Sequence, residues 1–176
     1  MILLCILILC AVMWYRSTRW ERAKSLAGWK YRFDKKVTHK RERHGPRVTD
    51  CSGFVTYVLN RDRTEGSWQL VERIDAYRTP QLDESRLRDG TLIAYDSGPM
   101  GFDGNRKNGV DHVGIVLKGW DQQLYLCDCK LQHGVRIRPL HEAVVDWNTF
   151  ALEKKFGEEY MSQFGELTKC FYVGQI

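Results

Sequence analysis

The sequence predicts an α+β domain in which early helices pack on a central antiparallel sheet. Three observations carry this. Between Asp50 and Tyr77 the apolar residues recur at helical spacing. From Thr91 onward, short apolar or alternating runs are separated by Gly- and Asn-containing turns, the pattern of strands. Two of those runs, 112–117 and 123–129, are expected to pair antiparallel across the turn at 118–122.

The elements follow in order. Ile2 to Tyr15 is an apolar run without a charged side chain. As a helix at about 1.5 Å per residue it spans ~21 Å, short of a ~30 Å hydrocarbon core. Arg16 and Arg19 could lengthen it by snorkelling. It lacks the basic start and small-residue end of a cleavable signal, and Leu9 rather than a small residue precedes Cys10. We expect an N-terminal apolar helix that associates the chain with a membrane as a signal anchor, a buried helix being the alternative. Residues 16–27 read as a basic helix, with Trp20, Ala23, Leu26 and Ala27 at helical spacing and Gly28 as its stop. The expected organisation is an N-terminal segment over 1–27 and one domain over 28–176.

Residues 34–48 have almost no apolar periodicity and read as an exposed basic loop. Residues 50–59 read as a helix with Phe54, Val55 and Val58 on one face, and 68–77 as another. Residues 91–95 form a short apolar strand, 96–109 a Gly-rich loop, and 112–117 a strand apolar throughout, as a buried strand is. Residues 123–129 and 135–138 alternate as strands, 150–164 read as helix, and 168–173 as a closing strand.

Composition excludes several classes. At 43 % hydrophobic and 28 % charged the chain can bury a core, so wholesale disorder is excluded. The net charge of +5 over 176 residues is unevenly placed. Residues 16–48 hold twelve Lys and Arg against three Asp and Glu, a local +9, whereas residues 49–176 sum to −4. The basic run has no interleaved aromatics on which bases could stack, so no nucleic-acid partner is expected. An anionic glycan or lipid phosphate suits it better.

Chemistry concentrates at Thr49-Asp50-Cys51-Ser52-Gly53-Phe54-Val55. Here a cysteine opens a helix, where free N–H groups and the helix dipole favour an anion and can hold an oxyanion. The small residues Ser52 and Gly53 let a substrate backbone approach. A thiol nucleophile needs a base, and the base needs an orienting group. His112, at the head of a buried strand, is the candidate base. Alternation along 124–129 puts Leu124, Leu126 and Asp128 on one face and Tyr125, Cys127 and Cys129 on the other. In the antiparallel pairing Asp128 comes near His112 and can orient its imidazole. A lone cysteine is most often a small buried hydrophobe; the three residues together, in these settings, point to catalysis. Cys127 and Cys129, without a second pair, make a poor metal site, and no cofactor is expected. Six cysteines allow disulfides, Cys129 with Cys170 among them.

The block DCSGFV, followed about sixty residues later by HVGIV, resembles the NlpC family of papain-like cysteine peptidases. Two supporting matches are Gly28-Trp29-Lys30-Tyr31, similar to the family's Gly-x-x-Tyr segment, and Leu87-Arg88-Asp89-Gly90-Thr91-Leu92-Ile93, similar to its Pro-Gly-Asp turn into a strand. The resemblance covers roughly residues 28–138. It implies a small papain-like α+β domain that hydrolyses amide bonds, typically in the peptide stem of bacterial peptidoglycan. It implies Cys51 as nucleophile, His112 as general base and Asp128 as the third polar residue, with His133 the other candidate. It also implies Tyr31, Asp50, Ser52 and Gly53 on the substrate side. Departures fall where substrate is read: the Trp-Gly-Gly after the upstream Tyr is replaced by Arg32-Phe33-Asp34, and the loop before His112 is long.

The expectation is therefore a monomeric thiol endopeptidase or amidase of the cell wall, in one variant an antibacterial effector. It would sit in the cell envelope, membrane-anchored or exported to the periplasm. The positive-inside rule applied to Arg16, Arg19, Arg22 and Lys24 points instead to a cytoplasmic body. The rivals are an acyltransferase or hydrolase of the same fold acting on a non-wall amide or ester, and an inactive membrane-tethered binding module.

Overall fold

The structure, a computed structural model, describes residue 5 and residues 18–33, 47–59, 65–99, 109–162 and 165–176. The apolar helix expected over residues 2–15 lies, Cys5 apart, outside the described residues, as do residues 34–46 of the basic loop expected over 34–48 and residues 100–108 of the Gly-rich loop expected over 96–109. Among the described residues no helix is long and apolar enough to cross a membrane.

Residues 18–25 are helical (α1). Two short strands, β1 (Lys30–Tyr31) and β2 (Val48–Thr49), pair in parallel. They lead into α2 (Cys51–Val58) and α3 (Ser67–Glu72). The central sheet holds β3 (Tyr77–Thr79), β4 (Thr91–Asp96), β5 (His112–Lys118), β6 (Leu124–Lys130), β7 (Gly134–Pro139) and β10 (Cys170–Gln175). Its order is β3-β10-β4-β5-β6-β7, antiparallel at every pairing. Helix α4 (Leu140–Glu153) and the hairpin β8 (Glu159–Ser162) with β9 (Gly165–Thr168) complete the fold.

The sheet is covered on both faces, which is why β4 and nearly all of β5 are buried. On one face Trp20, Ala23 and Leu26 meet Phe54, Val55 and Val58 of α2 and Val113, Ile115, Cys127 and Cys129 of the sheet. On the other, Leu140, Ala143, Val144, Trp147 and Ala151 of α4 meet Ile93, Tyr95, Val116, Leu126 and Phe171. The expected split of 124–129 between two faces holds: Leu126 lies in one core, Cys127 and Cys129 in the other.

Three local expectations are corrected. The helix expected over 68–77 stops at Glu72, and residues 77–79 form an edge strand against β10. The helix expected over 150–164 lies ten residues earlier, at Leu140–Glu153, where the apolar residues 140, 143, 144, 147 and 151 mark its buried stripe. It ends because Lys155 (φ 57°) and Gly157 (φ 96°) turn left-handed, and Glu159–Thr168 returns as a hairpin. The Cys129–Cys170 disulfide is not formed; both are free thiols. They stand on β6 and β10, three strand positions apart, or about 14 Å at ~4.8 Å per strand, beyond a disulfide's ~7 Å reach.

Candidate active site

The site is built where the head of α2 meets the start of β5. Asp50, extended at φ −103°, is the N-cap of α2. Its Oδ1 accepts from the Gly53 backbone N–H at 2.7 Å and from the Ser52 hydroxyl at 3.2 Å. The Asp50 carbonyl takes the Phe54 N–H at 2.9 Å. The cap fixes where the helix begins, and Cys51 is its first residue. Ser52 and Gly53 are buried in the same turn.

His112 heads β5, opposite Tyr95 of β4. Its ring lies 5.3 Å from the Tyr95 ring and 5.6 Å from the Trp147 indole, centroid to centroid. Its Nε2 is 3.0 Å from Asp128 Oδ2. Burial alone would disfavour the imidazolium, but Asp128 and the nearby Cys51 sulfur outweigh it, and the imidazole is raised to about 9.

Asp128 is inaccessible to solvent. Burial raises its carboxyl, but His112 and Arg136 lower it further, to about 2. An ionised Asp128 only accepts, so the proton between the pair sits on His112 Nε2. Arg136 donates to both carboxylate oxygens, from Nε to Oδ1 at 3.0 Å and from Nη2 to Oδ2 at 2.6 Å.

The structure places Cys51 at the head of α2 and His112 and Asp128 together on β5 and β6. His133, the alternative third residue, lies exposed in the β6–β7 turn. Tyr31 stands on β1 opposite Thr49, two residues before Cys51, and packs on the core. The carboxylate of Asp50 is engaged in capping. Sequence reasoning missed Arg136. The signal was present in the hairpin register, where Arg136 falls directly opposite Asp128, but that register needs the turn length to be known.

For the other buried thiols among the described residues, burial is the largest influence. Burial pushes Cys127 and Cys129 well up, and Cys170 to about 11. Cys129 Sγ donates to the Thr49 carbonyl at 3.5 Å.

The comparison with curated proteins finds no match to this chain. The model of the NlpC/P60 family matches residues 28–153, a span that holds Cys51, His112, Asp128 and Arg136. That match covers well over half of the sequence, and the chain belongs to the NlpC/P60 family.

Proposed function

We propose that the protein is a thiol-dependent hydrolase of amide bonds in the peptide stems of peptidoglycan. The observation that carries this reading is Cys51 at the capped head of α2 beside His112, whose imidazole is bonded to the buried Asp128 at 3.0 Å. A binding module that had lost catalysis would have no need to keep a thiol beside an oriented, buried imidazole.

The proposed chemistry follows from the atoms present. The Cys51 proton is held on His112 Nδ1, the two standing as a thiolate–imidazolium pair, and the sulfur forms a bond to the carbonyl carbon of the scissile amide as the carbonyl π pair moves to oxygen. The developing oxyanion is met by the backbone N–H of Cys51 at the head of α2; the N–H groups of Gly53 and Phe54 are already bonded to Asp50. His112 then gives its proton to the leaving nitrogen as the C–N bond breaks. Water, deprotonated by the same imidazole, attacks the thioester, freeing the carboxylate and restoring the thiol. Asp128 keeps the ring turned and stabilises its charged form. Tyr31, Ser52 and Gly53 border the nucleophile and would line the substrate.

Wall peptide as substrate rests on family membership, and with it an envelope location, anchored or exported, and the variant of an antibacterial effector. Residues 28–176 would be the hydrolase as a monomer, with residues 1–27 leading into it. Digestion of purified peptidoglycan, read by mass spectrometry, tests the reading. Cleaved stem peptides with wild type and none with Cys51→Ala support it. An acyl group moved to an acceptor, with stems intact, would favour the acyltransferase alternative.

A further inference from the structure

We propose that Arg136 is a positioning residue of this site, setting the direction in which Asp128 presents its carboxylate to His112. The proposal rests on the hydrolase reading for its kinetic consequence but not for its geometry.

The side chain of an aspartate ends on a broad, nearly free torsion. One hydrogen bond to an imidazole does little to fix it. Here the β6–β7 pairing sets Arg136 directly across from Asp128, and the guanidinium fork holds both oxygens, at 3.0 and 2.6 Å. Rotating the carboxylate breaks two charge-assisted bonds at once. The Oδ2 atom that accepts from His112 is therefore aimed by β7 rather than by Asp128 itself. The Arg136 side chain is only 16 % exposed, so solvent does little to loosen the pair.

The fork also divides a charge. An Asp128 carboxylate sealed from solvent and paired with His112 alone would hold the imidazolium tightly and make it a poor donor of its proton to the leaving nitrogen. Arg136 takes a share of the carboxylate. Other groups facing this corner include Lys130 and Cys129 of β6, Arg138 of β7, Asp146 of α4, Tyr95 of β4 and Cys51 of α2. Asp146 is occupied by Arg138 at 2.9 Å. Among the described residues Arg136 alone bonds both Asp128 oxygens.

The test uses the full chain with Arg136→Gln and Arg136→Lys. The first readout needs no substrate: the ring Nε2–H proton of His112, bonded to a carboxylate, gives a downfield NMR signal protected from exchange, assigned by its loss in His112→Gln. It is expected in wild type, lost in Arg136→Gln and partly kept in Arg136→Lys. The second is kinetic. Arg136→Gln is expected to lower kcat by about 10–100-fold, as loss of an outer-shell partner does, with KM within about twofold. In an Asp128→Asn background the same change should cost less than about threefold, because a residue acting through Asp128 has nothing left to position. If Arg136→Gln does not fold, Arg136→Lys, which keeps the charge and loses the fork, is read the same way, with an intermediate loss expected. A folded variant that keeps the signal and its kcat, or a cycle in which the two losses multiply, overturns the proposal. Wild-type protein that hydrolyses no wall peptide, yet loses the signal without Arg136, would leave the positioning intact and overturn the hydrolase reading.

Discussion

His112 and Asp128 meet at 3.0 Å although they are not cross-strand partners. Asp128 pairs with Gly114, two residues further along β5 on the same face as His112. Asp128 reaches His112 over a position that carries no side chain. A Cβ at 114 would stand 3.1 Å from the Cys127 carbonyl, 3.2 Å from Leu126 Cδ1 and 3.3 Å from Asp128 Cβ. The glycine of the His-Val-Gly-Ile block is thus a condition of the His–Asp contact.

Gly114→Ala should therefore push β6 away by a few tenths of an ångström and weaken that contact. Stability is expected to fall by about 1–3 kcal/mol, the range of overpacked cores, and kcat more than KM. Thermal melts and steady-state kinetics on the same preparation check this; unchanged kcat in a folded variant would remove Gly114 from the account.

Asp128→Asn removes an anion that favours the imidazolium, leaving Cys51 to favour it and burial to oppose it. The imidazole, raised to about 9 in the wild type, is expected to titrate lower, toward its ordinary value of about 6.5. NMR titration of His112 reads the shift directly. A pH–rate profile should show the alkaline limb moving down with it. Orphaning Arg136 makes the variant less stable, so the comparison belongs at a temperature where both proteins are folded.

The same pair makes stability depend on pH with a definite sign. His112 is raised in the folded state, so its contribution is complete below about 6.5, its unfolded value, and is lost as pH rises through about 9. Asp128 is lowered, so its contribution is complete above 3.8 and is lost as pH falls through about 2. Denaturant melts from pH 4 to 10 should show a decline confined to the alkaline side for this pair. His112→Gln is expected to flatten that decline.

Asp50 holds the start of α2 through Gly53 N and Ser52 Oγ. Asp50→Ala is expected to cost about 1–2 kcal/mol and to fray the turn that presents Cys51. Asp50→Asn or Asp50→Ser, which can still cap, should recover most of the stability. Equal losses in all three variants would assign Asp50 a role other than capping.

The site was more legible than the fold around it. Cys51 and His112 stand in local patterns, a capped helix start and the head of a buried strand, that short-range sequence contains. Asp128 followed from alternation once β5 and β6 were paired. Arg136 did not, because it depends on the register of a second hairpin, set by a three-residue turn with Gln132 and Gly134 at positive φ. The misplaced α4 has the same origin. Its apolar stripe is clear from Leu140 to Ala151, but it follows β7 with no loop between them. The run Phe150–Phe164 has enough apolar residues to imitate a helix, and only the left-handed turns at Lys155 and Gly157 divide it.

The central claim is that Cys51, paired with His112, is a nucleophile for peptide-stem amides. It is tested most directly by digesting defined muropeptides with wild type and with Cys51→Ala and reading the products by mass spectrometry. The expected result is a new carboxyl and a new amine at one stem bond with wild type, and intact muropeptides with a folded Cys51→Ala. Cleavage that persists in Cys51→Ala would contradict the account.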